Sequence, residues 1–358
     1  MATYKVDRKE LLGILKLVSQ AKGEKEIVEQ MSHFIFTGDD VVCFNDQVCL
    51  QHAYDKIEEP FSVKANAFQA ILSKIKSKEV SIDINENGVK VNGRTSKALI
   101  STQVEDEVSD LLNNLNEELD DEAGWVPLPD SFITAADIAS LSVESDASSI
   151  LSCVYIHNDF ANSTDGTCCT RAFLPKDSKL PTFFLKPSTI KILKKIGGVK
   201  EMKITPNWIH FWASDDLVLS ARILQGKFIS DENLDKVFQA KKKTTIKLPE
   251  DVLDGLDFVE TMVDQESFTA SVHIGGKKLS VKTEGELGWA EKEFNLETKQ
   301  PEISFMINIL FLQKILKHTN KLTICEWEDS ALIRCSTETF EHMIAPITKQ
   351  TKTTTIED

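Results

Sequence analysis

The side chains that could carry chemistry are few. His157, Asp159 and Asp165 lie close enough together in the chain to mimic an acid–base cluster. A histidine at a strand end beside turn aspartates is, however, ordinarily structural. Asp39-Asp40 and Asp215-Asp216 fall in turn-like stretches, where aspartate serves local backbone bonding. The seven cysteines have no framework spacing and no C-x-x-C pair, and Cys168 and Cys169 are adjacent. Most sit in apolar, strand-like runs, which suits small buried hydrophobes better than zinc ligands or disulfides. There is no G-x-S-x-G, H-E-x-x-H, P-loop or G-x-G-x-x-G. The residues therefore point away from an enzyme and imply neither metal nor cofactor.

Lysine is what shows a pattern. Lys191, Lys194 and Lys195 share roughly 100° of helical arc opposite Ile192, Leu193 and Ile196. Lys314, Lys317 and Lys321 share an arc opposite Leu312, Ile315 and Leu316. Lys74 and Lys78 are one turn apart, and Lys9 and Lys16 share a face. Solvation of an exposed face would explain any one of these helices. Four of them in a chain of formal charge −15 suggest basic surfaces set against an acidic whole, the local field that a polyanion would meet. Two further helical stretches, near 130–141 and 249–263, carry no basic residue.

The elements that present these lysines repeat. Residues 61–103 read as a short strand, a helix with Phe68, Ile71, Leu72 and Ile75 on one face, and a three-strand meander turning at Glu86-Asn87-Gly88 and Asn92-Gly93. Similar units begin near residues 3, 61, 125, 182, 244 and 302, about 60 apart, the length of one supersecondary unit. The first helix has a capping-box pattern at Asp7 and Glu10. The fourth has Pro187 at its start and Gly197-Gly198 at its end. In the third, the expected strands are 153–157 and 167–174; in the fifth, Gly275-Gly276 is the expected turn. A four-strand sheet with one helix leaves a face that a second copy can cover, so six copies pair into three α+β domains. The expected linkers are the acidic stretch 104–124 and the polar stretch 231–243. Domain bounds of 1–118, 119–243 and 244–348 follow, with a tail at 349–358. No apolar run reaches the roughly 18 residues of a membrane span, and the charged start lacks a signal-like core, so a cytoplasmic protein is expected.

Several stretches, in order, resemble the bacterial sliding clamp, the DNA polymerase III beta subunit. Asn92-Gly93-Arg94-Thr95-Ser96 before Ile100-Ser101-Thr102 is similar to its S-G-R-S-x-F-x-L-S-T strand. Thr164-Asp165-Gly166 stands where that family has T-D-G-H-R-L, Gln225-Gly226-Lys227-Phe228 resembles D-G-R-F, and Ile344-Ala345-Pro346-Ile347 resembles V-M-P-M-R-L. The chain departs at Thr167-Cys168-Cys169 and at Ala345 and Ile347, as a divergent, phage-like member would.

The resemblance implies three tandem clamp domains, each a duplicated β-α-β-β-β unit, with helices on the inner face and sheets on the outer. It implies a head-to-tail homodimeric ring around double-stranded DNA that acts as a non-catalytic processivity factor. Lys9, Lys16, Lys22, Lys25, Lys74, Lys78, Lys191, Lys194, Lys195, Lys314, Lys317 and Lys321 would then face DNA without reading sequence. A cleft for short peptides of the polymerase and the clamp loader would use Leu151, Thr164, Gly166, Val237, Phe238, Ala345, Pro346 and Ile347. The subunit seam would use Ala98 and Ile100 against Met262 and Phe268. The competing reading is a clamp-fold scaffold that binds proteins without encircling DNA.

Overall fold

A computed structural model describes residues 2–23, 30–85, 87–102, 106–120, 124–146, 149–327 and 330–347. The repeat is visible element by element. The first copy is β1 (Ala2–Asp7), α1 (Arg8–Val18), β2 (His33–Phe36), β3 (Asp40–Phe44) and β4 (Val48–Ala53). The second is β5 (Phe61–Lys64), α2 (Ala65–Lys74), β6 (Glu79–Asn85), β7 (Gly88–Asn92) and β8 (Lys97–Ile100), followed by α3 (Asp106–Asp120). The third is β9 (Val126–Pro127), α4 (Phe132–Ala139), β10 (Val154–Asn158), β11 (Phe160–Thr164) and β12 (Cys168–Phe173). The fourth is β13 (Leu180–Leu185), α5 (Pro187–Ile196), β14 (Glu201–Ile204), β15 (Trp208–Ser214) and β16 (Leu217–Arg222), followed by α6 (Asp231–Phe238). The last two copies share β17 (Lys241–Lys247), α7 (Val252–Glu260), β18 (Thr269–Gly285), β19 (Gly288–Asn308), α8 (Ile309–Leu316), β20 (Lys321–Trp327), β21 (Ser330–Ser336) and β22 (Phe340–Ile344). The chain falls into two compact units, 1–133 with 188–224 and 134–187 with 225–358.

The first unit holds a sheet of order β1-β6-β7-β8 and a larger one of order β5-β2-β3-β4-β16-β15-β14-β9. The larger sheet exists because β4 and β16, the last strands of two copies, pair antiparallel from Leu217↔His52 to Ala221↔Val48. Side-chain alternation divides its faces. Phe36 stacks on Phe61 at 4.3 Å and meets Phe68 of α2 edge-on at 6.0 Å. Its neighbour Ile35 points the other way and clusters with Val42, Phe44, Cys49 and Trp208 around Leu112 and Leu115 of α3. Helices thus cover both faces, which is why β2 is buried at every position instead of alternating.

That arrangement corrects the sequence reading at 104–124. Most of the stretch is a fifteen-residue helix and not a linker. Asn116 Oδ1 accepts from Gln51 Nε2 at 2.9 Å on β4, while Glu118 bonds Thr205 and, at 3.0 Å, Asn207 ahead of β15. Lys203 Nζ donates to the Glu118 carbonyl at 2.7 Å. α3 therefore grips strands on both sides of the β4–β16 junction.

The second unit repeats the scheme with order β13-β10-β11-β12-β22-β21-β20-β17, joined where β12 pairs with β22 from Cys168↔Ile344 to Ala172↔Phe340. The stretch expected as a second linker holds α6, whose Leu234 and Phe238 are buried, and the start of β17. In the third copy the structure adds β11, absent from the sequence expectation. Its Asn162, Ser163 and Thr164 are polar yet buried, each with a bonded partner in Arg171, the Ala139 carbonyl or the Cys168 carbonyl. β18 and β19 form a two-stranded sheet whose register breaks on either side of Gly276, φ +57, where the sequence places a turn. The seven cysteines are free and buried.

Leu115 of α3 is fully buried against the larger sheet of the first unit. Replacing it with Ala should lower the urea stability of the first unit by about 2–5 kcal/mol, the cost of a buried leucine cavity, against under about 0.5 kcal/mol for a solvated linker position. Equilibrium unfolding followed by tryptophan fluorescence checks this.

Candidate functional site

In the first unit the lysine faces are set by how each helix buries its apolar stripe. Asp7 caps α1, its Oδ1 accepting from Lys9 N at 2.8 Å and Glu10 N at 3.1 Å. Leu11, Ile14, Leu15 and Val18 face the core, leaving Lys9 and Lys16 exposed. On α5, Ile190, Ile192 and Leu193 are buried and Lys191, Lys194 and Lys195 are exposed; the helix stops at Gly197, φ +63, a conformation suited to glycine. Polar contacts tie the helices together. Lys195 Nζ donates to Gln20 Oε1 at 2.9 Å beyond α1, and Lys22 Nζ to Asn66 Oδ1 at 2.7 Å on α2. Lys74 and Lys78 are exposed at and beyond the end of α2. Lys25 lies outside the described residues.

In the second unit Lys314 and Lys317 are exposed on and just after α8, and Lys321 opens β20 opposite Lys247. α7 packs against α8 and presents Asp254, Asp257 and Phe258 to solvent, with no cation among them. Gln313 of α8 reaches Asp257 at 3.0 Å and Glu260 at 2.8 Å.

The second unit also holds a groove of about 500 Å³. One wall is the β11–β12 turn, with Thr164, Gly166, Thr167, Cys168 and Cys169; α6 and its approach give Ile229, Asn233, Leu234, Lys236 and Val237; Trp327, Leu332, Met343 and Ala345 complete it. The turn is self-braced. Asp165 Oδ1 accepts from Thr167 N at 2.8 Å and Cys168 N at 2.6 Å, and Gly166 sits at φ +85, a region that favours glycine. Burial pushes the Cys169 thiol up to about 12, so it contributes surface and not a nucleophile. An apolar groove with one lysine at its margin can take a short apolar segment.

The structure brings Thr164, Gly166, Val237 and Ala345 of the expected cleft together here. The others are not among the groove's lining residues. Phe238 is buried with its ring against the Arg171 guanidinium at 4.7 Å. Ile347 bridges to Met306 and lines a separate hollow with Ser271 and His273. Leu151 lies in a short 3₁₀ turn, and Pro346 is half-buried between Ala345 and Ile347. Trp327, Leu332, Met343, Leu234 and Ile229 were missed because strand and helix residues of that type read as core.

Of the expected seam residues, Ala98 pairs with Val91 and Ile100 with Val89, on a strand with one sheet neighbour among the described residues. Met262 follows α7, and Phe268, φ +49, precedes β18. The acid–base trio has separate employments. His157 bonds Thr182 at 2.6 Å and Asn158 at 2.7 Å, the Asp159 carbonyl accepts from Leu174 N at 2.7 Å, and Asp165 bonds the turn amides. Among the described residues no group of His, Cys, Asp and Glu is arranged to hold a metal. No described helix is long and apolar enough to cross a membrane.

Six β-α-β-β-β copies joined through eight-stranded sheets define the fold of the DNA sliding clamps. A structure of the clamp from Bartonella birtlesii bound to griselimycin is similar over 97% of this chain and 99% of its own, with a TM-score of 0.80 and 14% identity. The DNA polymerase III beta chain of Streptococcus pneumoniae matches over 97% and 100%, at 0.79 and 13%. The Bacillus subtilis clamp matches over 97% and 99%, at 0.78 and 13%. No protein-family model matches the chain, and no curated protein sequence does either. At such identities the likeness is one of fold.

Beneath the groove turn, Thr170 points to the opposite face of β12, where His342 Nδ1 bonds its hydroxyl at 2.8 Å and Ser142 at 3.3 Å. Burial lowers His342 to about 3. Burial likewise lowers His210 of the first unit to about 4, with Glu118 opposing and Lys203 adding. Both lie below the ordinary 6.5, so the unfolded chain binds more protons between that pH and the folded values. Stability contributed by the neutral rings is present above about pH 6.5 and is lost as pH falls toward 4. His342→Gln should flatten this dependence, read as urea midpoints at successive pH values.

Proposed function

We propose that this chain is a divergent sliding clamp that encircles duplex DNA, slides without reading sequence, and tethers a replicative polymerase and its loader through short peptides. The observation that carries the reading is the exposure of Lys9, Lys16, Lys191, Lys194 and Lys195 on helices of a clamp-type fold, in a chain of net charge −15. Phosphate contacts from mobile ammonium groups fix no register, which suits translation along DNA. The domain division is 1–118, 119–243 and 244–348, and the protein works in the cytoplasm as a non-catalytic accessory factor. Thr164, Gly166, Val237 and Ala345 form the part of the peptide groove that the resemblance anticipates.

A second copy of the chain is the partner that closes the ring. Within one chain, β4 pairs with β16 and β12 with β22, each joint uniting the last strands of two copies. The remaining strands of that kind are β8 and the first part of β19, and two copies of the chain supply them to each other, head to tail. Large apolar side chains lie at both edges: Leu99 is 59% exposed, Leu287 89% and Trp289 61%. Such exposure is expected of a surface that association covers. This shifts the third-domain side of the seam from Met262 and Phe268 toward 287–296, because Met262 and Phe268 lie ahead of β18 whereas 288–296 falls in the last strand of its copy, the counterpart of β8.

Two measurements test these readings. The triple change Lys191→Glu, Lys194→Glu and Lys195→Glu should cut retention on nicked circular DNA at least tenfold with folding intact. Retention unchanged by the substitution, or equal on linear and circular DNA, favours the non-encircling scaffold. By light scattering at micromolar concentration the wild type should be a dimer and Leu99→Asp a monomer; a monomeric wild type removes the seam.

A further inference from the structure

We propose that Arg171 is the positioning residue of the groove, holding its helical wall at the spacing an apolar peptide needs; this rests on reading the groove as a peptide site. α6 has eight residues, too few for a helix to persist alone, so its place is set by what holds it to the sheet. Arg171 lies on β12 beyond Cys169, a groove residue, and shares its face because strand side chains alternate. Its side chain is 10% exposed. The guanidinium sits between two rings, 4.8 Å from the Phe160 centroid and 4.7 Å from that of Phe238. Its Nε donates to Asn162 Oδ1 at 3.0 Å and its Nη1 to Asp235 Oδ1 at 2.6 Å.

Asp235 and Phe238 are three residues apart and share one face of α6. The adjoining face carries Leu234 and Val237, which line the groove. By holding the first pair, Arg171 sets where the second pair stands. A second arginine, Arg334 on β21, donates to the Phe238 carbonyl at 3.3 Å and is itself held by Glu341, so the end of α6 is fixed from both copies that meet at the β12–β22 junction. Lysine cannot replace Arg171. A single ammonium lacks the plane that lies between the rings and the separate donors for Asn162 and Asp235.

The test uses the full chain and a fluorescein-labelled hexapeptide carrying adjacent leucine and phenylalanine. Arg171→Met should weaken its binding at least tenfold, mainly through faster dissociation, and Arg171→Lys should recover only part of the loss. Asp235→Asn, a change at a half-exposed site that leaves no cavity, should weaken binding about threefold. Hydrogen exchange, which needs no peptide, should quicken at the α6 amides of all three variants while β10 to β12 keep wild-type protection. A role in general stability would instead quicken exchange across β10 to β12 and leave the affinity of the folded fraction unchanged, which overturns the proposal. Unchanged α6 exchange in Arg171→Met and Asp235→Asn overturns it too. A wild type that fails to bind the peptide while α6 exchange responds as expected removes the peptide reading of the groove and, with it, the claim that Arg171 serves peptide capture.

Discussion

An edge strand with unpaired N–H and C=O groups has to find a partner, and the fold depends on how each copy meets that demand. One helix and a meander cannot bury both faces of their sheet or close its edge. The solution is to join the last strand of one copy to the last strand of another, which turns two half-sheets into one and puts their helices on a common side. β4 with β16 and β12 with β22 are two instances of this joint. Each then receives a helix on its other face, α3 with its leucines in the first unit and α6 with Phe238 in the second. The groove is a by-product of that second covering. It lies where a short helix and a braced turn leave part of the sheet uncovered.

Most of the repeat could be read from residue order. Asp7 caps the first helix as the S/T/D-x-x-E pattern requires, and Pro187 and Gly197 bracket α5 because one lacks an N–H the helix does not need and the other tolerates a positive φ. α3 was hidden by its acidity. Leu111, Leu112, Leu115 and Leu119 form a helical stripe, yet the surrounding aspartates and glutamates read as a solvated linker. β11 was hidden for the opposite reason. Asn162, Ser163 and Thr164 look like a turn until Arg171, a helix-end carbonyl and a neighbouring strand each bond to one of them.

The candidate surfaces divide along the same line. Lysines opposite an apolar stripe are legible because the stripe determines which side of the helix faces water, and the exposures of Lys9, Lys16, Lys191, Lys194 and Lys195 follow from it. Groove residues are harder, because an apolar side chain on a strand serves core and binding surface alike. Phe238 illustrates the limit: its type suits a peptide site, but Arg171 turns its ring inward. Trp327 illustrates the reverse, a strand residue left half-buried where it lines the groove.

The placement of α3 across the β4–β16 joint has a mechanical meaning. Load that would part the two strands is carried by two elements in parallel, a ladder of backbone bonds and a helix bonded to Gln51 on one side and to Thr205 and Asn207 on the other. A fluctuation that frays the ladder leaves the helix gripping both margins, and one that lifts the helix leaves the ladder zipped. Rupture requires the two failures to coincide, so the rate at which the joint opens scales with the product of two small probabilities and not with either alone.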